Sequence, residues 1–200
     1  MLDRFYLIVD TSDWLRRLLP CGVKLVQLRI KEGDEAFLRQ EIISARNLCK
    51  AAGAQLVVND YWKLAIDTGC DYVHLGQEDM DTADFVAIRK AGMKFGLSTH
   101  DESELDRALS FKPDYVALGP VYPTILKKMR FGPQGVERVT QWKKLTGKTT
   151  LVAIGGMSVE RAPGVFAAGA DSISVVTDVL LNKDPEARAR QWVAVSRPQT

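Results

Sequence analysis

Short apolar runs recur along this 200-residue chain at a steady interval, and helical patterns separate most of them. Most of these runs are apolar throughout, which is typical of parallel strands that helices cover. The runs span residues 5–9, 24–28, 55–58, 72–75, 94–97, 115–118, 150–154 and 172–176. Eight such units predict an α/β fold, a compact single-domain (β/α)8 TIM barrel over residues 1–200. A doubly wound open sheet stays open as the alternative, because periodicity alone does not show closure.

Local signals predict where several helices begin. The clearest helical pattern begins after Asp34, a typical N-cap, and ends at Gly53, a typical helix stop. Asp101 begins a helix with acidic residues in its first turn, where the helix dipole favours them. Ser158 is expected to open the helix after the seventh run, and Pro185 stands near the start of the last helix, where proline is tolerated.

Bulk composition narrows the classes of protein that fit. The chain is 46% hydrophobic and 26% charged with a net charge of +2, and its basic residues form no run, so nucleic-acid binding is not expected. No apolar stretch approaches the ~18 residues that span a bilayer, and the N-terminus does not read as a signal peptide. Cys21, Cys49 and Cys70 have no metal-ligand spacing and fit reduced thiols. We therefore expect a cytoplasmic protein without a membrane partner.

Two carboxylates follow neighbouring predicted strands. Asp60 comes after the third run and Asp79 after the fourth. In a barrel, the C-terminal ends of the strands form the active face, and two carboxylates delivered there suit a hard cation such as Mg²⁺. The plainer interpretation of Asp60 is an N-cap of the next helix. Asp79 competes with Asp81 for a capping role, which leaves Asp79 freer to bind metal.

Basic and hydroxyl side chains stand at other predicted strand ends. Alternation in an extended chain places Gln27, Arg29 and Lys31 on one side of the second strand, and Lys127 lies in a long irregular segment, residues 120–133. A hard metal with lysines and an arginine is what a diphosphate site requires. Ser98 could cap the following helix or donate to a phosphate oxygen.

Paired glycines follow the seventh strand. Gly155 and Gly156 precede a helical pattern, and Thr177 follows the eighth strand. Bare backbone N–H groups beside a helix N-terminus can approach a phosphate, and many barrels hold phosphate after strands seven and eight. His74 and His100 are interpreted as packed, hydrogen-bonded residues rather than acid–base catalysts.

In combination, these motifs resemble those of the thiamine-phosphate synthase family. They are QLRIK (27–31), VVND (57–60), VHLGQED (73–79), GLSTH (96–100), GPVYPT (119–124) with the lysine at 127, and AIGGM (153–157). The resemblance covers the chain from the first strand to the last helix. It implies a Mg²⁺-dependent transferase that joins hydroxymethylpyrimidine diphosphate to thiazole phosphate and releases pyrophosphate. These two small molecules are the implied partners, and a homo-oligomer is left open.

The resemblance also implies residue roles. For the pyrimidine diphosphate it implies Gln27, Leu28, Arg29, Ile30, Lys31, Asn59, Ser98 and Lys127. For the thiazole phosphate, with the adjoining loop, it implies Thr124, Ile125, Leu126, Gly156, Val176 and Thr177. Asp60 and Asp79 are the implied Mg²⁺ ligands, and Arg29, Lys31, Ser98 and Lys127 are the implied catalytic residues.

The chain departs from the family pattern at two positions. Leu126 stands where the family usually has threonine, so one hydrogen bond to the thiazole partner is missing; Thr177 replaces a serine and keeps the hydroxyl. Two alternatives stay open, the second of them motivated by Leu126. One is a thiazole tautomerase-like isomerase, which would need an acid–base residue such as His100. The other is a non-catalytic relative that binds thiamine precursors.

Overall fold

Each of the eight apolar runs forms a parallel strand in the computed structural model, which describes residues 2–124 and 132–197. The strands are β1 (Phe5–Val9), β2 (Leu25–Leu28), β3 (Gln55–Asn59), β4 (Tyr72–Leu75), β5 (Lys94–Thr99), β6 (Tyr115–Leu118), β7 (Thr150–Ile154) and β8 (Ser172–Val175). Each pairs with the next along the chain, and β1 also pairs with β8. The sheet is therefore a closed barrel, which confirms the predicted fold and excludes the open sheet.

Helices surround the barrel. They are α1 (Asp13–Leu18), α2 (Glu35–Ala52), α3 (Trp62–Asp67), α4 (Phe85–Lys90), α5 (Glu102–Ser110), α6 (Gly135–Thr146), α7 (Ala162–Ala167), α8 (Thr177–Leu180) and α9 (Pro185–Ser196). Short 3₁₀ turns cover Leu19–Cys21 and Asp79–Asp81. Within the described ranges, every helix is too short or too polar to cross a membrane.

Three aspartates cap helices as their sequence positions require. The side chains of Asp34, Asp101 and Asp184 accept hydrogen bonds from backbone N–H groups in the first turns of α2, α5 and α9. Each bond satisfies a donor that the helix itself leaves unpaired. Gly53 ends α2 in the left-handed conformation. These starts, and the predicted end of α2, are confirmed.

The prediction that Ser158 opens a helix is wrong. Helix α7 begins only at Ala162, and the carbonyl of Ser158 accepts from the N–H groups of Arg161 and Ala162 in a turn. A helix that began directly after Ser158 would place Pro163 beyond the first turn. Proline has no N–H to donate there, so the helix starts later and keeps Pro163 within its first two positions.

Two hydrophobic layers hold the fold together. The outer layer lies between the strands and the helices and includes Trp142 and Trp192, both fully buried. The inner layer fills the barrel interior and consists of Tyr6, Leu25, Val57, Tyr72, Tyr115, Ala117 and Val152. Interior tyrosines need polar partners as well as space, since a buried hydroxyl without a hydrogen bond is costly.

Gly96 provides the space for one of those tyrosines. A Cβ at this position of β5 would lie 2.0 Å from Cζ of Tyr115, whose ring extends from β6 across the neighbouring strand. The ring reaches His74 on β4, stacking at 5.6 Å between centroids. Because Gly96 has no side chain, the side chains of His74 on β4 and Tyr115 on β6 can meet inside the barrel.

The cysteines are free and buried. Cys21, Cys49 and Cys70 form no disulfide. Burial raises the pKa of all three thiols, that of Cys49 to about 12. Thiols with raised pKa values stay protonated near neutral pH and are poor nucleophiles.

We predict that Gly96→Ala destabilises the barrel by at least ~1–3 kcal/mol, because the new methyl group overlaps the Tyr115 ring in a packed interior. Urea unfolding followed by circular dichroism measures the change. The matched control is Gly164→Ala in α7, where an added Cβ meets no atom within 4 Å. The control should be neutral or stabilising by up to ~1 kcal/mol, as alanine is the better helix former. Equal stability of the two variants would contradict the prediction.

Candidate active site

The two predicted carboxylates come together at the C-terminal rim of the barrel. Asp60 follows β3 in the left-handed conformation, φ 66°, and its N–H donates to the carbonyl of His74 at 2.9 Å. Asp79 begins the 3₁₀ turn after β4, and its Oδ2 accepts from the N–H of Gly76 at 2.8 Å. The backbone thus aims both side chains into one place, where the carboxylates are close enough to hydrogen-bond if one is protonated.

Neither carboxylate is used as a helix cap. The N-cap of α3 is Tyr61, without a side-chain cap, so the capping interpretation of Asp60 is wrong. Helix α4 is capped by Asp84, whose Oδ1 accepts from Ala87 N at 2.9 Å, whereas Asp81 pairs with Arg107. The expected competition between Asp79 and Asp81 for that cap therefore does not occur.

The electrostatics of the pair favour a cation. The pKa of Asp79 is raised, first by burial and then by the adjacent Asp60 carboxylate, while the hydrogen bond from the Gly76 N–H and the charge of Lys31 oppose the rise. The Nζ of Lys31 lies 3.4 Å from Oδ2 of Asp60. Two close carboxylates repel unless a proton or a cation lies between them. The donor set therefore fits Mg²⁺, a hard ion that proteins often bind through one or two carboxylates plus substrate oxygens and water.

The described ranges contain no group of three or more His, Cys, Asp or Glu side chains that could hold a metal by themselves. Any cation at Asp60 and Asp79 would need further ligands from a bound molecule or from water.

Strand β2 sends alternate residues to opposite sides. Gln27 is buried inside the barrel, and its Nε2 donates to the hydroxyl of Tyr6 at 2.9 Å. Arg29 is half-buried and close enough to His74 to influence its pKa. Leu28 and Ile30 are buried in the layer between barrel and helices. A contact of Leu28 or Ile30 with a substrate at the rim would therefore involve main-chain atoms.

Asn59 presents an unused donor. The residue is 4% exposed, and its Nδ2 finds no hydrogen-bond partner among the described residues. Such a group costs about 1–3 kcal/mol when it stays unsatisfied, so it points to an acceptor supplied by a ligand or water.

Ser98 and the two histidines form hydrogen bonds within the protein. Helix α5 is capped by Asp101 and not by Ser98. The Oγ of Ser98 lies 2.8 Å from Nε2 of His74. Burial lowers the pKa of His74 to about 4, so the ring is neutral. Nδ1 of His100 lies 2.7 Å from Oε2 of Glu104. The interpretation of both histidines as packed, hydrogen-bonded residues is confirmed.

The paired glycines lie under the loop that follows β6. Gly155 and Gly156 have φ values of 99° and 61°, which favour glycine. A Cβ on Gly156 would lie 2.4 Å from the carbonyl oxygen of Pro123, and Tyr122 N donates to the carbonyl of Gly155 at 3.0 Å. This contact fixes the chain directly before Thr124 against the glycine pair.

An ion pair with α9 anchors the segment after β8. Val176 and Thr177 are half-buried at the start of α8. The next side chain, Asp178, forms a two-pronged ion pair with Arg188, 2.9 Å for each contact, and its Oδ2 accepts from Trp192 Nε1 at 2.7 Å. A bidentate guanidinium–carboxylate pair is a geometrically specific anchor. It fixes the backbone that presents Thr177.

Three predicted site residues, Ile125, Leu126 and Lys127, lie outside the described residues. Their roles stay predictions from the sequence.

Sequence reasoning missed polar residues beneath and beside the rim. Tyr6 and Tyr115 link Gln27 to His74 through the barrel interior. Gln77 Nε2 donates to the carbonyl of Ser98 at 2.6 Å and joins the ends of β4 and β5. The period-two alternation of β6 gives a signal for Tyr115, which lies in phase with the inward-facing Ala117.

A closed barrel with an acidic pair, basic side chains and a glycine pair at one rim defines a class, the TIM-barrel proteins that handle phosphorylated ligands. Within that class, the family model described as thiamine monophosphate synthase matches residues 5–179. The chain belongs to the thiamine monophosphate synthase family, and it is an enzyme of the transferase class.

Relatives and solved structures agree with this assignment. A thiamine-phosphate synthase of Rhizobium etli is 62% identical over 197 residues, which cover 98% of this chain and 97% of that protein. The thiamine-phosphate synthase of Neisseria meningitidis is 44% identical over 96% of this chain and 94% of its own. The structure of thiamine phosphate pyrophosphorylase from Pyrococcus furiosus superposes with a TM-score of 0.86 at 24% identity, covering 96% of this chain and 95% of that one. At that identity it supports the fold.

We predict that Asp79→Asn raises the stability of the metal-free protein at pH 7. The charged form of Asp79 is disfavoured by burial and by Asp60, and asparagine removes the charge while its Oδ1 can still accept from Gly76. A raised folded-state pKa means that the charge destabilises above that pKa, so the gain should shrink as pH falls and the wild-type carboxyl protonates. Urea midpoints measured in EDTA between pH 4 and 8 test this.

The control for that experiment is Glu78→Gln, which removes the charge of the exposed neighbouring carboxylate. It should leave the urea midpoint unchanged. A loss of stability in Asp79→Asn, or an equal gain in Glu78→Gln, would count against the repulsion between Asp60 and Asp79.

Proposed function

We propose that this chain joins the methylene carbon of hydroxymethylpyrimidine diphosphate to the ring nitrogen of thiazole phosphate and releases pyrophosphate. The observation that supports this most directly is the meeting of Asp60 and Asp79 beside Lys31, with the glycine pair and Thr177 on the same rim. One half of this rim suits a metal-bound diphosphate, and the other suits a monophosphate. The names of the relatives, one of them 62% identical, support the same reaction.

The pyrimidine diphosphate is proposed to bind over β2, β3 and β5. Asn59, whose Nδ2 has no partner among the described residues, would donate to the substrate, while Arg29 and Lys31 attract the diphosphate. Mg²⁺, held by Asp60 and Asp79, would supply positive charge to the diphosphate oxygens. Gln27 lines the barrel interior beneath this substrate, and the main chain of Leu28 and Ile30 borders it.

The thiazole phosphate is proposed to bind between the loop after β6 and the ends of β7 and β8. Gly156 lies against Pro123, and Thr124 follows directly, so the loop and the glycine pair form one wall. Val176 and the hydroxyl of Thr177 form the other. Ile125 and Leu126 belong to the same proposed loop, outside the described residues.

The proposed reaction is a dissociative substitution. An amino-substituted pyrimidine stabilises a benzylic-type cation, so C–O cleavage can precede attack by the thiazole nitrogen. The protein must then stabilise the charge that builds on the leaving pyrophosphate, the role proposed for Arg29, Lys31, Ser98 and Lys127. Positioning the second substrate supplies the remaining acceleration. The neutral, doubly hydrogen-bonded ring of His74 agrees with a reaction that needs no side-chain base.

The two alternatives predict different behaviour. An isomerase requires an acid–base group and no metal, whereas the His100 ring is hydrogen-bonded to Glu104. A binding protein without turnover would retain the rim and fail to release product.

The deciding experiment combines the purified protein, both substrates and Mg²⁺, with thiamine phosphate and pyrophosphate detected by chromatography. Product formation that stops on adding EDTA and returns with Mg²⁺ supports the proposal. Turnover unaffected by EDTA would contradict the metal assignment, and tight binding of both substrates without product would favour the binding protein.

We further propose that the enzyme acts in the cytoplasm on these small molecules alone. The reduced, buried state of Cys21, Cys49 and Cys70 supports this compartment. A homo-oligomer stays an expectation, which light scattering of the purified chain tests.

We predict that Asp60→Asn and Asp79→Asn each lower kcat by on the order of 10²–10³-fold, as removal of a major electrostatic group typically does. Asparagine preserves the backbone, since it tolerates the left-handed conformation of Asp60. Each variant should also require more Mg²⁺ for half-maximal activity. Steady-state kinetics over a Mg²⁺ titration measure both effects, and Glu78→Gln is again the matched control. Wild-type rates at low Mg²⁺ in either variant would remove that residue from the metal site.

We predict that Gly156→Ala raises the KM for thiazole phosphate by about tenfold, the factor that 1.4 kcal/mol of lost binding represents. The added methyl group would collide with Pro123 and Tyr122 and displace the wall that Thr124 continues. The KM for the pyrimidine diphosphate should change little. Gly164→Ala controls for the substitution itself. Equal increases in both KM values would mean that the glycine pair serves the whole rim.

A further inference from the structure

Five side chains from five strands form a continuous hydrogen-bonded chain across the barrel interior. Nε2 of Gln27 lies 2.9 Å from the hydroxyl of Tyr6, which lies 2.9 Å from the hydroxyl of Tyr115. That hydroxyl is 2.8 Å from Nδ1 of His74, and Nε2 of His74 is 2.8 Å from Oγ of Ser98. The first four residues are buried and Ser98 is half-buried, so the chain runs from the interior toward the rim.

The hydrogens that each group carries determine which atom donates and which accepts in each of these hydrogen bonds. The amide of Gln27 donates, so the hydroxyl oxygen of Tyr6 accepts and its single hydrogen goes to Tyr115. Tyr115 then has one hydrogen to give, and Nδ1 of His74 receives it. A neutral imidazole has one N–H, which must now lie on Nε2 and donate to Ser98. The hydroxyl hydrogen of Ser98 then remains available for an acceptor that is not one of these five side chains.

We propose that Tyr115 is a positioning residue: its hydroxyl holds His74 as the Nε2–H tautomer, which makes Ser98 a donor toward an anionic oxygen at the rim. This inference rests on the proposed function, in which Ser98 contacts the departing pyrophosphate. With the opposite orientation, Ser98 would spend its hydrogen on His74 and present only lone pairs to the substrate. The direction of a buried chain thus decides whether Ser98 attracts or repels the leaving group.

The surroundings of Tyr115 fix this arrangement. Its ring stacks on His74 with an interplanar angle of 10° and meets the Tyr6 ring edge-on at 89°. Gly96 leaves the space in which the ring lies. Tyr115→Phe keeps these ring contacts and removes the hydroxyl, which donates to His74 and also accepts from Tyr6.

The tautomer can be measured without any substrate. The chain has two histidines, so ¹⁵N-histidine labelling gives a simple spectrum, and His100→Asn identifies the signals of His74. We expect the wild type to show a protonated Nε2 and a bare Nδ1 at His74. Tyr115→Phe should lose that uniform state, whereas Tyr72→Phe, which removes another interior tyrosine hydroxyl, should keep it. An Nδ1–H tautomer in the wild type, or an unchanged tautomer in Tyr115→Phe, would overturn the proposal.

Kinetics then test whether Tyr115 acts through Ser98. Tyr115→Phe and Ser98→Ala should each lower kcat by about tenfold with little change in KM, and the double variant should be no slower than Ser98→Ala alone. Tyr72→Phe should keep wild-type kcat. Multiplied losses in the double variant would make Tyr115 merely structural. If no variant, including the wild type, forms thiamine phosphate, the proposed function fails while the spectra still decide the orientation of the chain.

Discussion

Closure of the barrel is the constraint on which the site depends. Because β1 pairs with β8 and every strand runs parallel, all strand ends of one polarity meet at one rim. Residues far apart along the chain, such as Lys31, Asp79 and Thr177, therefore lie at the same rim without any long-range sequence signal between them. The interior layer, which includes three tyrosines, fills the barrel below this rim.

Much of the fold and part of the site could be predicted from the sequence, since a parallel barrel repeats one local pattern. Apolar runs locate all eight strands, and Asp34, Asp101 and Pro185 mark helix starts through local backbone chemistry. Once strand order is known, the carboxylates of Asp60 and Asp79 are expected on neighbouring ends. The helix after β7 begins later than Ser158 suggested, because the limit set by Pro163 outweighs a nearby capping residue.

The rest could not be predicted, because it depends on side-chain reach rather than on spacing. Nothing local to Tyr115 indicates that its ring passes over Gly96 to contact His74. Nor does anything local indicate that its hydroxyl forms a hydrogen bond with the hydroxyl of Tyr6 on β1. The capping of α4 by Asp84 rather than by an earlier aspartate likewise depends on where the 3₁₀ turn ends. That the Asn59 amide has no hydrogen-bond partner among the described residues becomes visible only when its neighbours are in place.

The left-handed backbone at Asp60 has a consequence for how such enzymes diverge. Asparagine and glycine are the residues that accept this conformation most readily, and each is one nucleotide change away from an aspartate codon. The commonest mutational losses at this position are thus the ones that the barrel tolerates. A lineage can shed the acidic pair in one step and keep a folded barrel, free to be recruited for another use.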